Sequence, residues 1–162
     1  MQKSPPHRSS ISNMDANNAT TLLYILCIFV SGIPGIKLFT WILPVIVYGL
    51  EKESDFVKWH AAQATALYII KSILSLAVSI FSFTSTVSLL ANHGGILDRL
   101  FNVLGNFGTM TLYRLSFGIP ILIFAIIAAI KSYEYEYYTI PLLGGIVRFV
   151  KRILESITSP NK

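Results

Sequence analysis

Charge is scarce in this chain, and cysteine almost absent. Only 13% of its 162 residues are Asp, Glu, Lys or Arg, against 53% hydrophobic residues. Soluble domains carry about a quarter charged residues. A soluble fold of this length has too little interior to hide so much apolar surface, which points to lipid as part of the solvent. Cys27 is the single cysteine. It excludes an intrachain disulfide and reads as a small hydrophobe in an apolar run. There is no Gly-rich phosphate loop, no nucleophile elbow and no HExxH. The three histidines are scattered, without a cysteine or acidic cluster beside them, so no metal site or other cofactor is expected. The net charge is +5, but the bases lie mostly outside the apolar runs and form no nucleic-acid patch. The composition points to a non-enzymatic membrane protein with the lipid bilayer as its first partner.

Residues 1–20 are polar, with Pro5, Pro6 and several Ser and Asn, and read as a disordered tail. Residues 21–145 read as a membrane helix bundle, and 146–162 as a basic amphipathic helix and tail. Within the bundle, residues 21–30 and 38–50 are apolar halves around Ser31-Gly32-Ile33-Pro34-Gly35. Each half is shorter than the roughly 20 residues of a span. They form either a short helical hairpin or one kinked, tilted crossing. Residues 61–90 read as a long span, ended by Ala91-Asn92-His93-Gly94-Gly95. Residues 97–104 read as a short interfacial helix. Residues 112–130 are the second long span, with a kink at Pro120. Gly118, Ala125, Ala128 and Ala129 there are small enough for close helix contact. The tyrosines of Tyr133-Glu134-Tyr135-Glu136-Tyr137-Tyr138 suit the headgroup layer. In the last segment Ile146, Val150, Ile153, Leu154 and Ile157 make an apolar stripe largely apart from Arg148, Lys151 and Arg152, as on a helix lying at an anionic interface.

The fold class expected is therefore all-α: a polytopic bundle of two long spans, a short N-terminal hairpin and a C-terminal interfacial helix. Lys and Arg concentrate in the tail, the turn near residue 52 and the C-terminal segment. A hairpin puts all three on one side, the cytoplasmic side by the positive-inside rule. The sequence names no particular membrane.

The chain is organised around Asp55-Phe56-Val57-Lys58-Trp59-His60-Ala61-Ala62-Gln63-Ala64, where acid, base, aromatic, imidazole and amide groups meet at the mouth of an apolar helix. At about 100° per residue, His60, Gln63, Lys71, Ser75, Ser82 and Ser85 fall on one broad face. Lipid offers these groups no partner, so that face should point into the bundle or a wet cavity. It reads as interhelical bonding or as a polar path. Thr65, Ser72 and Thr84 lie off the face and are expected to bond back to their own helix. Lys71 is costly in a membrane and either snorkels or serves a function. Arg114 and Lys37 read as interface anchors.

Residues 50–64 resemble the signature of small membrane proteins related to the twenty-kilodalton subunit of the chloroplast inner-envelope translocon (TIC-like). That signature is an acidic-basic turn followed by Phe-Val-Arg-Phe-His-Ala-x-Gln-Ala or similar. Here Lys58 and Trp59 replace Arg and Phe. The stretch from Ile130 through Pro141 to Gly144 is similar to that family's second motif, with Tyr135 where Gly is common. The resemblance spans roughly residues 21–150 and implies a helical bundle of three or four membrane segments, with His60 and Gln63 as shared scaffold residues. It marks Phe56, Lys58, Trp59, His60, Gln63, Pro141 and Gly144 as motif residues, beside Lys71 and Ser75 of the polar face. Three functions follow as expectations: a scaffold or interaction subunit that self-associates or joins other membrane-protein subunits, a component of a protein translocation or insertion assembly, and a small transporter or channel subunit using Lys71 and His60.

Overall fold

A computed structural model describes residues 2–11, 13–91, 95–141 and 143–158. Among the described residues five α-helices follow in order: α1 Ala16–Gly32, α2 Ile42–Leu50, α3 Asp55–Ala91, α4 Ile96–Tyr133 and α5 Gly144–Thr158. A short 3-10 turn, Lys37–Phe39, lies between α1 and α2. There is no β-strand among the described residues; isolated bridges join Lys3 to Glu136 and Arg8 to Asp15.

α3 is the axis of the bundle and packs against every other helix. Small residues explain how closely its neighbours approach. Ala61, Ala62, Ala64 and Ala66 on α3 and Ala125, Ala128 and Ala129 on α4 are all buried. Removing bulk at such positions lets helix backbones come near enough for dispersion contacts to accumulate. Tyr24, Cys27, Tyr48, Leu67, Tyr68 and Ile140 complete the same core. Gly118 differs from its small neighbours on α4: a Cβ there would meet nothing within 4 Å, so no close helix contact requires it.

The outer surface is apolar. Phe29, Phe83 and Ile96 are 73%, 71% and 87% exposed, and exposed Ile, Leu and Phe side chains cover both long helices. Patches of this extent are unfavourable in water and favourable in lipid. α3 and α4 are each long and apolar enough to cross a bilayer.

The chain doubles back between α1 and α2. The tail before α1 hydrogen-bonds the turn after α2, with the Ser10 amide donating to Glu51 at 3.1 Å and Lys52 donating to Ser10 at 2.9 Å. A single kinked crossing would separate these ends, so the hairpin is the arrangement present. The polar tail is also more ordered than its composition suggests. Ser4 donates to the Tyr135 carbonyl at 2.8 Å, and Ser9 is buried. A composition argument counts apolar burial and overlooks a carboxylate that collects several donors.

Two further expectations change. The short helix over 97–104 is the first part of α4, which runs unbroken to Tyr133 with Pro120 inside it. Asn106 donates to the Thr86 hydroxyl at 3.0 Å and ties this part of α4 to α3. The Asn92-His93-Gly94 break lies outside the described residues. α5 does not simply float on its stripe. Val147 and Leu154 are buried against the bundle, whereas Ile146, Phe149, Ile153 and Ile157 remain exposed.

Candidate functional site

Ser54 caps α3: its hydroxyl accepts from the Val57 amide at 3.2 Å. Asp55 occupies the first turn, where a negative charge complements the helix dipole. Lys58 reaches back to the Lys52 carbonyl at 3.1 Å and closes the turn. These local bonds fix where α3 begins and so where Phe56, Trp59, His60 and Gln63 project.

These residues meet the second motif. His60 Nε2 lies 3.0 Å from the Glu136 carbonyl, which can only accept, so Nε2 carries the proton. In the neutral ring Nδ1 is then the acceptor, and the Tyr24 hydroxyl approaches it at 3.3 Å while also facing the His60 carbonyl at 3.3 Å. Gln63 donates to the same hydroxyl at 3.1 Å, and its carbonyl accepts from the Ile140 amide at 3.3 Å. Trp59 donates from its indole to the Tyr138 carbonyl at 3.3 Å. Phe56 fills the space below, 4.7 Å from the His60 ring and 5.3 Å from that of Tyr137. The mouth of α3, α1 and the strap 136–140 are thus joined by side chains that bond almost only to one another and to backbone. Chemically this is a lock: every donor and acceptor named is already used, as buried polar groups require.

The strap is shaped by its own residues. Tyr135 adopts φ 58°, the left-handed region that favours glycine. Glu136 pairs with Lys131 at 3.1 Å and Lys3 at 3.5 Å. The Lys131 hydrogen bond holds its carboxyl below the usual range. Pro141 is exposed at the turn before α5. A Cβ on Gly144 would stand 3.3 Å from the Thr139 side chain, a tight contact that Thr139 would have to yield to by a few tenths of an ångström.

Glu51 is the main residue that sequence reasoning passed over. It is 2% exposed and accepts from the Ser9 hydroxyl, from the Ser10 hydroxyl at 2.6 Å and from the amides of Ser10, Glu53 and Ser54. Burial raises its carboxyl, but these bonds outweigh burial and bring it down to about 2. The one signal in the sequence was a carboxylate three residues before a helix cap.

The polar face of α3 turns inward throughout. His60 and Gln63 are buried, and Lys71, Ser75, Ser82 and Ser85 are half-buried, while Ile73, Leu76, Ile80 and Phe83 face outward. Thr65, Ser72 and Thr84 bond back to the carbonyls of Ala61, Tyr68 and Ile80. Ser72 also holds the hairpin loop through the Leu38 carbonyl at 2.8 Å. Lys71 and His60 do not share a site. They are about 16 Å apart along the helix, and Lys71 lines a ≈160 Å³ cavity with Ser75, Lys37 and Arg114. Among the described residues no His, Cys, Asp and Glu group is arranged to hold a metal ion.

The fold and this internal lock define a small, all-helical membrane protein. Its chain belongs to the magnetosome magnetite crystal formation protein family (MamF/MmsF), whose model matches residues 15–150. That match replaces the resemblance to the chloroplast translocon relatives, and with it the translocation reading falls. Both motifs lie inside the matched region. No curated protein and no solved structure matches the chain.

Proposed function

We propose that this protein is a non-enzymatic scaffold of the magnetosome membrane that serves magnetite crystal formation. The observation that carries the reading is the family match across residues 15–150, which takes in both motifs. The geometry supports a scaffold. The polar residues at the mouth of α3 are consumed by internal bonds, which hold the bundle and offer no activated nucleophile or base. A scaffold of this kind works through its surfaces, by self-association or with other membrane subunits.

The orientation proposed has the tail, the 51–54 turn and α5 on the cytoplasmic side. Their contacts put them at one end of the bundle, and they carry six of the 13 Lys and Arg. The test of function is complementation in a magnetite-forming cell that lacks this protein. The full chain should restore crystal size and number by electron microscopy. A chain with Phe56→Ala, His60→Ala and Gln63→Ala should fail because its abundance in the membrane falls. Normal abundance with lost crystal control would show that the lock acts directly in the chemistry, against the scaffold reading.

A further inference from the structure

Three cations from three different elements converge on one cavity. Lys37 comes from the turn between α1 and α2, Lys71 from α3 and Arg114 from α4. The rest of the lining is Ser75, Gly118 and apolar side chains; no carboxylate contributes. The Lys71 ammonium has the Ser31 carbonyl at 3.5 Å and the Tyr68 ring at 5.7 Å, which leaves donors unused. Like charges gathered among apolar side chains are costly without a counter-charge.

Beside it runs an apolar groove of ≈330 Å³ lined by Leu67, Ile70, Phe124, Ile140 and others. The two cavities share Leu74, Phe117 and Ile121 in their linings and so adjoin. Depth along the helices gives the sense of this pairing. Trp59 and the 133–138 tyrosines mark one headgroup layer, and a hydrocarbon core is about 30 Å thick. Lys71 lies about 18 Å beyond Trp59, and Arg114 about 28 Å from Tyr133. Arg114 therefore stands near the opposite headgroup layer, Lys71 lies in that half of the core with a side chain long enough to reach toward it, and the groove runs back from them toward the bilayer centre.

We propose that the paired cavities bind one anionic phospholipid, its phosphate among Lys37, Lys71 and Arg114 and an acyl chain along the groove. The chemistry recognised is a phosphate diester carrying an apolar chain; the site rests on the membrane reading and not on the role in crystal formation.

Native mass spectrometry of the full chain in detergent tests this, with phosphatidylglycerol, phosphatidylcholine and inorganic phosphate as probes. Phosphatidylglycerol should be retained at least about tenfold better than phosphatidylcholine. Lys71→Met with Arg114→Gln should remove that preference while thermal unfolding stays close to the parent's. Lys37→Gln alone should weaken it in the same direction, and it serves if the double variant does not fold. Ile121→Trp, which fills the shared wall, should lower lipid retention without affecting phosphate. Equal retention of the two lipids would overturn the proposal, as would unchanged preference in the charge variants. Full displacement by millimolar phosphate, with no effect of Ile121→Trp, would assign the cavity to free phosphate and overturn the lipid.

Discussion

At the scale of the residue, Gln63 and Glu51 tie separate parts of the chain together. Gln63 bonds the Tyr24 hydroxyl and the Ile140 amide at once. Gln63→Leu keeps the volume, leaves the Ile140 amide without its partner and takes one donor from the Tyr24 hydroxyl, which keeps its contacts to His60. The cost expected is about 1–3 kcal/mol, read as a lower unfolding midpoint in detergent. Glu51 gives a pH dependence. Its folded carboxyl sits at about 2, below the ordinary 4.5. A depressed acid contributes stability that is present above the unfolded value and lost as pH falls through the folded one. The clamp between tail and turn should therefore weaken from pH 4.5 down to about 2. Hydrogen exchange at the Ser10 and Ser54 amides will accelerate over that window, and Glu51→Gln will remove most of the dependence. His60 and Gln63 were legible in the sequence because they stand on the inward face of a strong periodic helix. Tyr24 was not, because its role comes from a partner 36 residues away, and Glu51 showed only its place before the helix cap, since its serine partners lie 41 and 42 residues back.

At the scale of the element, helix starts and seams decide behaviour. Ser54 caps α3 and also meets His7 Nε2 at 2.6 Å. Ser54→Ala should cost about 1 kcal/mol and release the tail, giving earlier proteolysis at residues 2–9. On α5 the inner seam and the outer face are separable. Leu154→Asp should detach the helix from α2 and α3, seen as protease access at Arg148 and Lys151. Phe149→Ser with Ile157→Ser should leave the unfolding midpoint within about 0.5 kcal/mol of the parent and reduce binding of α5 to anionic vesicles. The amphipathic period of α5 was readable, but its buried side was off by one residue. Val147, not Ile146, begins the packed seam, because the docking angle against α2 and α3 is tertiary. The merger of 97–104 into α4 was likewise hidden, since the Asn106–Thr86 bond that holds this part of the helix on its neighbour is tertiary.

At the scale of the whole molecule, the all-helical class and the two long apolar helices were legible from hydropathy, while kinship was not. The residues 50–64 and 130–144 that suggested a translocon relative are joined in the lock at the base of the bundle, and such a scaffold can serve unrelated tasks. Orientation is open to direct measurement. With Cys27→Ser and single cysteines at Ser10, Glu53 and Arg99, an impermeant thiol reagent applied from the proposed cytoplasmic side of membrane vesicles should label positions 10 and 53 and spare 99. The spared position has a geometric meaning. α3 and α4 hold 37 and 38 residues, or about 55 Å of helix each. At a usual tilt of about 20° that pair still covers roughly 52 Å, more than the 40–45 Å of a bilayer with its headgroups. With its base held at one face by Trp59, the strap tyrosines and α5, the excess emerges entirely at the other. The pair then acts as a post, and the end bearing Asp98 and Arg99 stands off the far face by a distance that helix length fixes. Removing seven residues from each helix would lower it by about 10 Å. On the role proposed in magnetite formation, that height would set how near a growing solid comes before it meets protein and not lipid.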